Sequence, residues 1–158
     1  AARRMRDAVQ AQPVARAQLA DGEPEVTLLW NQDGTPIKCR LDWLCRAHDA
    51  ILDLKTASDA SAEEFARAAG RYAYHLQASL YADAGEACGL GSRAFVFLVV
   101  ESGPPHGVAL YQMDEDAMRA GSVLYRRALE RYRECLAAND WPSYPQEVQL
   151  LTLSKWAL

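Results

Sequence analysis

The sequence lacks most of the features that announce a chemistry. Its four cysteines, Cys39, Cys45, Cys88 and Cys135, form no CxxC pair, so the usual spacing of a zinc site is absent. Cys39 and Cys45 fall on one predicted strand, too far apart to bridge, and free thiols in a reducing compartment are expected. No apolar run reaches the ~20 residues that a membrane-spanning helix needs. The longest, AFVFLVV from Ala94 to Val100, reads as a buried strand. There is no GxxxxGK[ST] loop, no GxSxG and no HExxH, so ATP hydrolysis, serine-hydrolase and zincin chemistry have no anchor. CGLGS, from Cys88 to Ser92, is only a short glycine turn. A net charge of −4 argues against a generally basic nucleic-acid coat, but leaves room for a local basic groove.

What is present fits one domain with a real core: 158 residues, half of them apolar and a quarter charged. The opening AARRMRDAVQAQ reads as helix already in progress, interrupted near Pro13, which suggests a chain lacking an upstream segment. EVTLLWNQ (Glu25 to Gln32) is a predicted strand, Asp33-Gly34 a hairpin turn, and PIKCRLDWLCR (Pro36 to Arg46) a second strand. On that strand Ile37, Cys39, Leu41, Trp43 and Cys45 are expected on one face, and Lys38, Arg40, Asp42 and Arg46 on the other. A turn at Ala47-His48 leads to AILDLKT. A Ser/Asp-rich start then opens a helix to about Ala84, with Glu63 and Glu64 favoured near its N-terminus. Two more strands, split by GPPHG, precede a long helix and a loop-like tail. The order is helix, three-strand meander, helix, strand pair, helix: a mixed α/β (α+β) fold, with no internal repeat.

The hairpin carries the first unusual pattern. If Ala47 and His48 form its turn, Asp42 lies opposite Asp53, on one face with Lys55. Two carboxylates about 4 Å apart repel by roughly 4 kcal/mol at an effective dielectric near 20. A shared proton, a nearby cation or a divalent metal would offset that. Oxygen ligands of this kind suit Mg²⁺ or Mn²⁺. Beside them a lysine can orient water or stabilise a phosphoryl transition state. The plainer alternative is a surface pair between Asp53 and Lys55, or pairing of both acids with Arg40 and Lys38.

On the following helix Arg67, Arg71, Tyr74, Gln77 and Tyr81 recur at three- and four-residue spacing and form one stripe. It offers two guanidinium groups, an amide and two phenols. Its plainer reading is a solvated face. A second stripe, Ala69, Tyr72, Ala73, Leu76 and Leu80, suits the core.

Asp42, then Asp53-Leu54-Lys55, then YHLQASLY (Tyr74 to Tyr81) resembles the PD-(D/E)xK nuclease superfamily. CRLDWL, ILDLKT, RYAYHLQASLYADA and FVFLVVE, continuing through GSVLYRRALERYRECLAANDWPSY to LSKWA, resemble its exonuclease VIII (RecE-type) branch, related to RecB-type and lambda-exonuclease-type nucleases. The resemblance runs from about Pro13 to the end. It implies a restriction-endonuclease-like core, a mixed sheet flanked by helices. It implies a metal held by Asp42, Asp53 and the Leu54 carbonyl, with Lys55 as the catalytic lysine and Gln77 positioning it. Glu25 would be an outer metal ligand or would orient water. Arg67, Arg71, Tyr74 and Tyr81 would touch DNA or support the site. The implied activity is Mg²⁺-dependent degradation of double-stranded DNA from an end, 5′ to 3′, by a cytoplasmic, bacterial or phage-encoded ring that works with a single-strand annealing protein. Leu41 stands where the superfamily name has proline. No histidine precedes Glu25, where this branch has one near the metal. Another RecB- or Cas4-type nuclease is an alternative, though scattered cysteines disfavour an iron–sulfur cluster. A non-catalytic module that binds DNA ends or protein is the other.

Overall fold

Pro13 has no amide to donate, so the first helical segment ends before it and a second begins on it. A computed structural model, describing residues 1–154, shows these as α1 (Ala2–Ala11) and α2 (Pro13–Gln18). The Lys155 to Ala157 part of the matching LSKWA lies outside the described residues. Then follow β1 (Gly22–Gln32), β2 (Thr35–Cys45), β3 (Ala50–Ala57), α3 (Ala62–Arg71), α4 (Tyr74–Ala87), β4 (Ala94–Glu101), β5 (Val108–Gln112) and α5 (Glu115–Ala138). The strands form one sheet in chain order, β1-β2-β3-β4-β5. Only β3 and β4 run parallel; α3 and α4 supply the long connection that a parallel pair requires.

Asp33 and Gly34 both have positive φ, as a primed two-residue turn demands, and they lock the β1–β2 register at Gln32↔Thr35. β4 is apolar on both faces because both are covered. Phe95, Phe97 and Val99 join the core beneath α3 and α4, with Phe65 and Ala78. Leu98 and Val100 pack with Val9 and Ala15 of α1 and α2 on the other side. The architecture is therefore the expected mixed sheet flanked by helices.

Two local expectations change. The helix predicted from the Ser/Asp-rich start to Ala84 is broken at Ala73, whose φ of 53° is left-handed. The single stripe is thus divided between α3 and α4. Tyr72, expected in the core, is 62% exposed, whereas Gln77 and Tyr81 turn inward. The strict alternation on β2 also fails. Leu41 and Leu44 both belong to the helix-covered core, three residues apart, while Trp43 and Cys45 pack on the opposite face. The switch falls at Asp42. Across the pair, the ladder skips Glu25, which has φ 58°. A left-handed residue rotates the following side chains to the other face without adding a residue to the register.

α5 braces the helical layer. A Cβ on Gly121 would stand only 2.0 Å from the His75 carbonyl oxygen, so glycine is what lets α5 approach α4. Ser79 Oγ donates to the Met118 carbonyl at 2.7 Å across the same junction.

Candidate active site

The β2–β3 ladder pairs Cys45 with Ala50, Leu44 with Ile51 and Trp43 with Leu52, then stops. This is the register expected from a turn at Ala47-His48, and its next pair would be Asp42 and Asp53. Instead the strands diverge. Asp42 bridges the opening: its Oδ2 accepts a 2.8 Å hydrogen bond from the Leu54 amide. The amide and carbonyl of one strand residue point to the same edge, so the Leu54 carbonyl faces this fork too. Asp42 is exposed at its mouth; Asp53 is 3% exposed at its base.

Asp53 and Lys55 share the helix-covered face. The Lys55 ammonium is paired with Asp53 Oδ2 and is itself largely enclosed, 18% exposed. This is not a surface salt bridge. Nor is Asp42 paired with Arg40, which is engaged by Glu25. Gln77 is the link between the buried charges. Its Nε2 donates to Asp53 Oδ1 at 2.6 Å, and its Oε1 accepts from Lys55 Nζ at 3.0 Å. Only a side-chain amide offers both a donor and an acceptor in that geometry. Tyr74 closes the lysine from above, its ring centroid 4.8 Å from Nζ.

Burial pushes the Asp53 carboxyl above its ordinary range. Lys55 and Gln77 oppose that shift, and the nearby charge of Asp42 adds to it. Asp53 Oδ2 is fully buried and has no directional hydrogen bond among the described residues, the Lys55 ion pair aside. The cation that this oxygen faces is the Lys55 ammonium. Mg²⁺ keeps several waters and is commonly bound by one or two carboxylates, so Asp42 and Asp53 are the side chains here that would hold it. Among the described residues there is no group of three His, Cys, Asp or Glu side chains that could hold a metal ion. Glu25 lies beside Asp42 in register but is half exposed and paired with Arg40.

The remaining named residues separate by element. Arg71, Arg67 and Tyr74 line a cleft of about 390 Å³ that begins at Lys55 and Thr56, and Tyr72 stands at it as well. Arg67 is held by Glu63 and Glu64. Tyr81 is a packing residue, edge-on to Phe95, and burial pushes its phenol up. Tyr72 was not legible as a cleft residue, because helical spacing assumes one unbroken helix, and Thr56 on β3 carried no sequence signal of its own. Of the three histidines, His48 lies in the β2–β3 turn, His106 in the β4–β5 loop, bonded to the Glu101 carbonyl, and His75 on α4. All four cysteines are free, and burial lifts Cys39 to about 11.

Residues 1–154 match the family described as PDDEXK-like domain of unknown function (DUF3799). The chain belongs to this family. A crystal structure of a candidate exonuclease from Eubacterium rectale superposes with a TM-score of 0.76 at 13% identity, covering 97% of this chain and 62% of that one. The likeness is one of fold, and the chain spans about three-fifths of that protein. A second solved structure, SSO0001, aligns at a TM-score of 0.41 with 18% identity over 70% of this chain and 52% of that one. Among curated proteins, none matches significantly. Membership in a PDDEXK-like family places the chain in the PD-(D/E)xK superfamily, on a nuclease-type fold.

Proposed function

We propose that the chain is a single nuclease domain that hydrolyses DNA phosphodiesters from a double-stranded end, with Mg²⁺ (or Mn²⁺) held by Asp42, Asp53 and the Leu54 carbonyl. The observation that carries this reading is the Gln77 bridge. It fixes a buried acid and a buried base side by side at the point where two strands separate. A bound ion would supply Lewis-acid polarisation of the phosphate and acidify water. The protein's own groups do the rest. The Lys55 ammonium stabilises charge developing on the phosphoryl oxygens. Gln77 and Tyr74 hold it in position, and Asp53 keeps it charged. Arg67 and Arg71 bind neighbouring phosphates in the cleft beside Lys55. Glu25, paired with Arg40 across from Asp42, would orient water. Tyr81 supports Gln77 from within the core.

The motif order supports the RecE-type branch, and with it 5′-to-3′ resection, a ring of identical subunits, an annealing partner, and a cytoplasmic, phage- or prophage-derived setting. No helix among the described residues is long and apolar enough to cross a membrane. The test is digestion of a linear duplex and a covalently closed circle, with Mg²⁺ and with EDTA. Loss of the linear duplex alone, requiring Mg²⁺ and Lys55, is expected; equal digestion by Asp53→Ala would reject the site. Blocking 5′ or 3′ ends separately reads polarity.

The presence of two acids rather than three at the fork favours one second reading, a module that binds DNA ends without cutting them. Wild-type protein that retains linear duplex but never shortens it, with any divalent ion, would select that reading. A RecB- or Cas4-like nuclease would instead cut without the expected polarity.

A further inference from the structure

Glu101 ends β4, and its carboxylate serves two loops at once. Oε1 accepts from the Ala60 amide at 3.1 Å, and Oε2 from the Gly107 amide at 3.1 Å. The first amide lies just before α3, the second just before β5. A Cβ on Gly107 would stand 2.9 Å from a carboxylate oxygen, so glycine lets the acid come this close. Glu101 also donates its own amide to the Gly107 carbonyl at 2.9 Å, and its carbonyl lies 2.9 Å from His106 Nδ1. No cation pairs with the carboxylate among the described residues. The Ala60 carbonyl is held as well, accepting from the Tyr111 hydroxyl at 2.7 Å. Tyr111 lies on β5 and stacks on Phe65 of α3, with ring centroids 5.2 Å apart and planes 14° from parallel. Ala60 is buried, whereas Ser58 and Asp59 before it are exposed.

We infer that Glu101 and Tyr111 are positioning residues, which set the spacing between Lys55 and the arginines of α3. Three observations carry it. Both backbone groups of Ala60 are gripped by side chains, one from each of two strands. The entry of α3 therefore takes its place from the sheet, and not from the exposed loop that precedes it. The grip is also in register with the lysine. β4 pairs in parallel with β3, Lys55 opposite Val99 and Ala57 opposite Glu101, so the acid stands two residues along the same ladder. Finally, a carboxylate bound to two amides makes charge-assisted bonds of fixed direction, stronger than neutral ones. The cleft that runs from Lys55 to Arg67 and Arg71 is the gap so fixed. This inference rests on the nuclease reading for what the arginines hold, but not for the clamp at Ala60.

The experiment is fluorescence anisotropy of the full chain with a labelled linear duplex in EDTA, for Tyr111→Phe and Glu101→Gln. Tyr111→Phe keeps the ring on Phe65 and removes only the hydroxyl; Glu101→Gln keeps the shape and one acceptor. Each should weaken duplex binding about three- to tenfold, the scale of one lost hydrogen bond. The decisive comparison repeats both in a protein that also carries Arg67→Ala and Arg71→Ala. There each should cost less than about twofold, since a positioning group has nothing left to position. With Mg²⁺, KM should rise while kcat at saturating duplex holds. Equal losses in both backgrounds, no loss in either, or a kcat that falls with affinity would overturn the assignment. Wild-type protein that binds no duplex would reject the nuclease reading instead. Amide hydrogen exchange then decides the clamp: exchange about tenfold faster in α3, with α4 unchanged, upholds it, and any other pattern overturns it.

Discussion

The Asp42 carboxylate accepts a hydrogen bond from the Leu54 amide, 2.8 Å long, at the position where β2 and β3 part. Asp42 thereby does the work of a missing ladder partner while standing at the mouth of the site. The two roles separate by substitution. Asp42→Asn retains an acceptor for Leu54 and should leave the melting temperature nearly unchanged. Asp42→Ala removes it and should cost about 1–2 kcal/mol, the range of a hydrogen bond to a charged group. Both should abolish Mg²⁺-dependent cleavage. Thermal melts paired with a duplex digestion assay decide it; activity in Asp42→Asn would remove Asp42 from the metal site.

Gln77 satisfies Asp53 and Lys55 at once. Gln77→Leu should leave both without that partner, destabilising the fold by about 1–3 kcal/mol and lowering activity about 10- to 100-fold. Because Gln77 acts through Lys55, the pH–rate profile should shift as well as fall. A uniform drop with an unchanged profile would reduce Gln77 to a packing role.

Asp53 gives a signed pH dependence. Its carboxyl is raised, mainly by burial, so the folded protein holds a proton that the unfolded chain has released. In EDTA, that contribution favours folding at low pH and is lost as pH rises from the ordinary carboxylate range through the raised value. Against Asp53→Asn, the wild-type melting temperature should therefore decline across this window. Mg²⁺ should restore it at neutral pH in the wild type alone. A pH-independent difference between the two proteins would refute the burial argument.

Arg71 makes no ion pair among the described residues, whereas Arg67 is neutralised by two glutamates. Arg71→Ala should lower the slope of log affinity against log salt for duplex by about 1. Arg67→Ala should change it less. Fluorescence anisotropy across a salt series distinguishes them, and the reverse ranking would contradict the cleft assignment.

Gly121 permits the α4–α5 contact, and a methyl there would strike backbone. Gly121→Ala should destabilise by about 1–3 kcal/mol, the cost of overpacking a close contact. It should also reduce activity, since α4 carries Gln77. A melt unchanged from wild type would show that the two helices separate easily.

Much of this was legible in the sequence because it rests on short-range rules. Asp33-Gly34 fixes its own turn, and the Ala47-His48 turn gives the β2–β3 register as far as Trp43↔Leu52. The expected pairing of Asp42 with Asp53 does not form, because the strands part there and Asp42 bonds the Leu54 amide instead. The Asp42, Asp53-Leu54-Lys55 and Gln77 order named the groups that the fold brings to one place. What was not legible depends on single backbone angles. Nothing in the residue type marks Ala73 or Glu25 as left-handed, since glycine or asparagine usually takes that role. The first accompanies the turn of Tyr72 to solvent, and the second lies across from the point on β2 where Leu41 and Trp43 take opposite faces. A cavity of about 520 Å³ under α1 was equally invisible, because its walls come from five separate elements.

The break at Ala73 has a mechanical consequence. An unbroken helix would move as a rod, and any tilt that adjusted Arg67 and Arg71 to a phosphate would drag Gln77 off Asp53 and Lys55. With the joint in place, and on the nuclease reading proposed above, the segment carrying Arg67 and Arg71 would yield to differences in a polymer's shape while the segment carrying Gln77 stays still. Grip and alignment would then be independent adjustments, separated by Tyr72 and Ala73 alone.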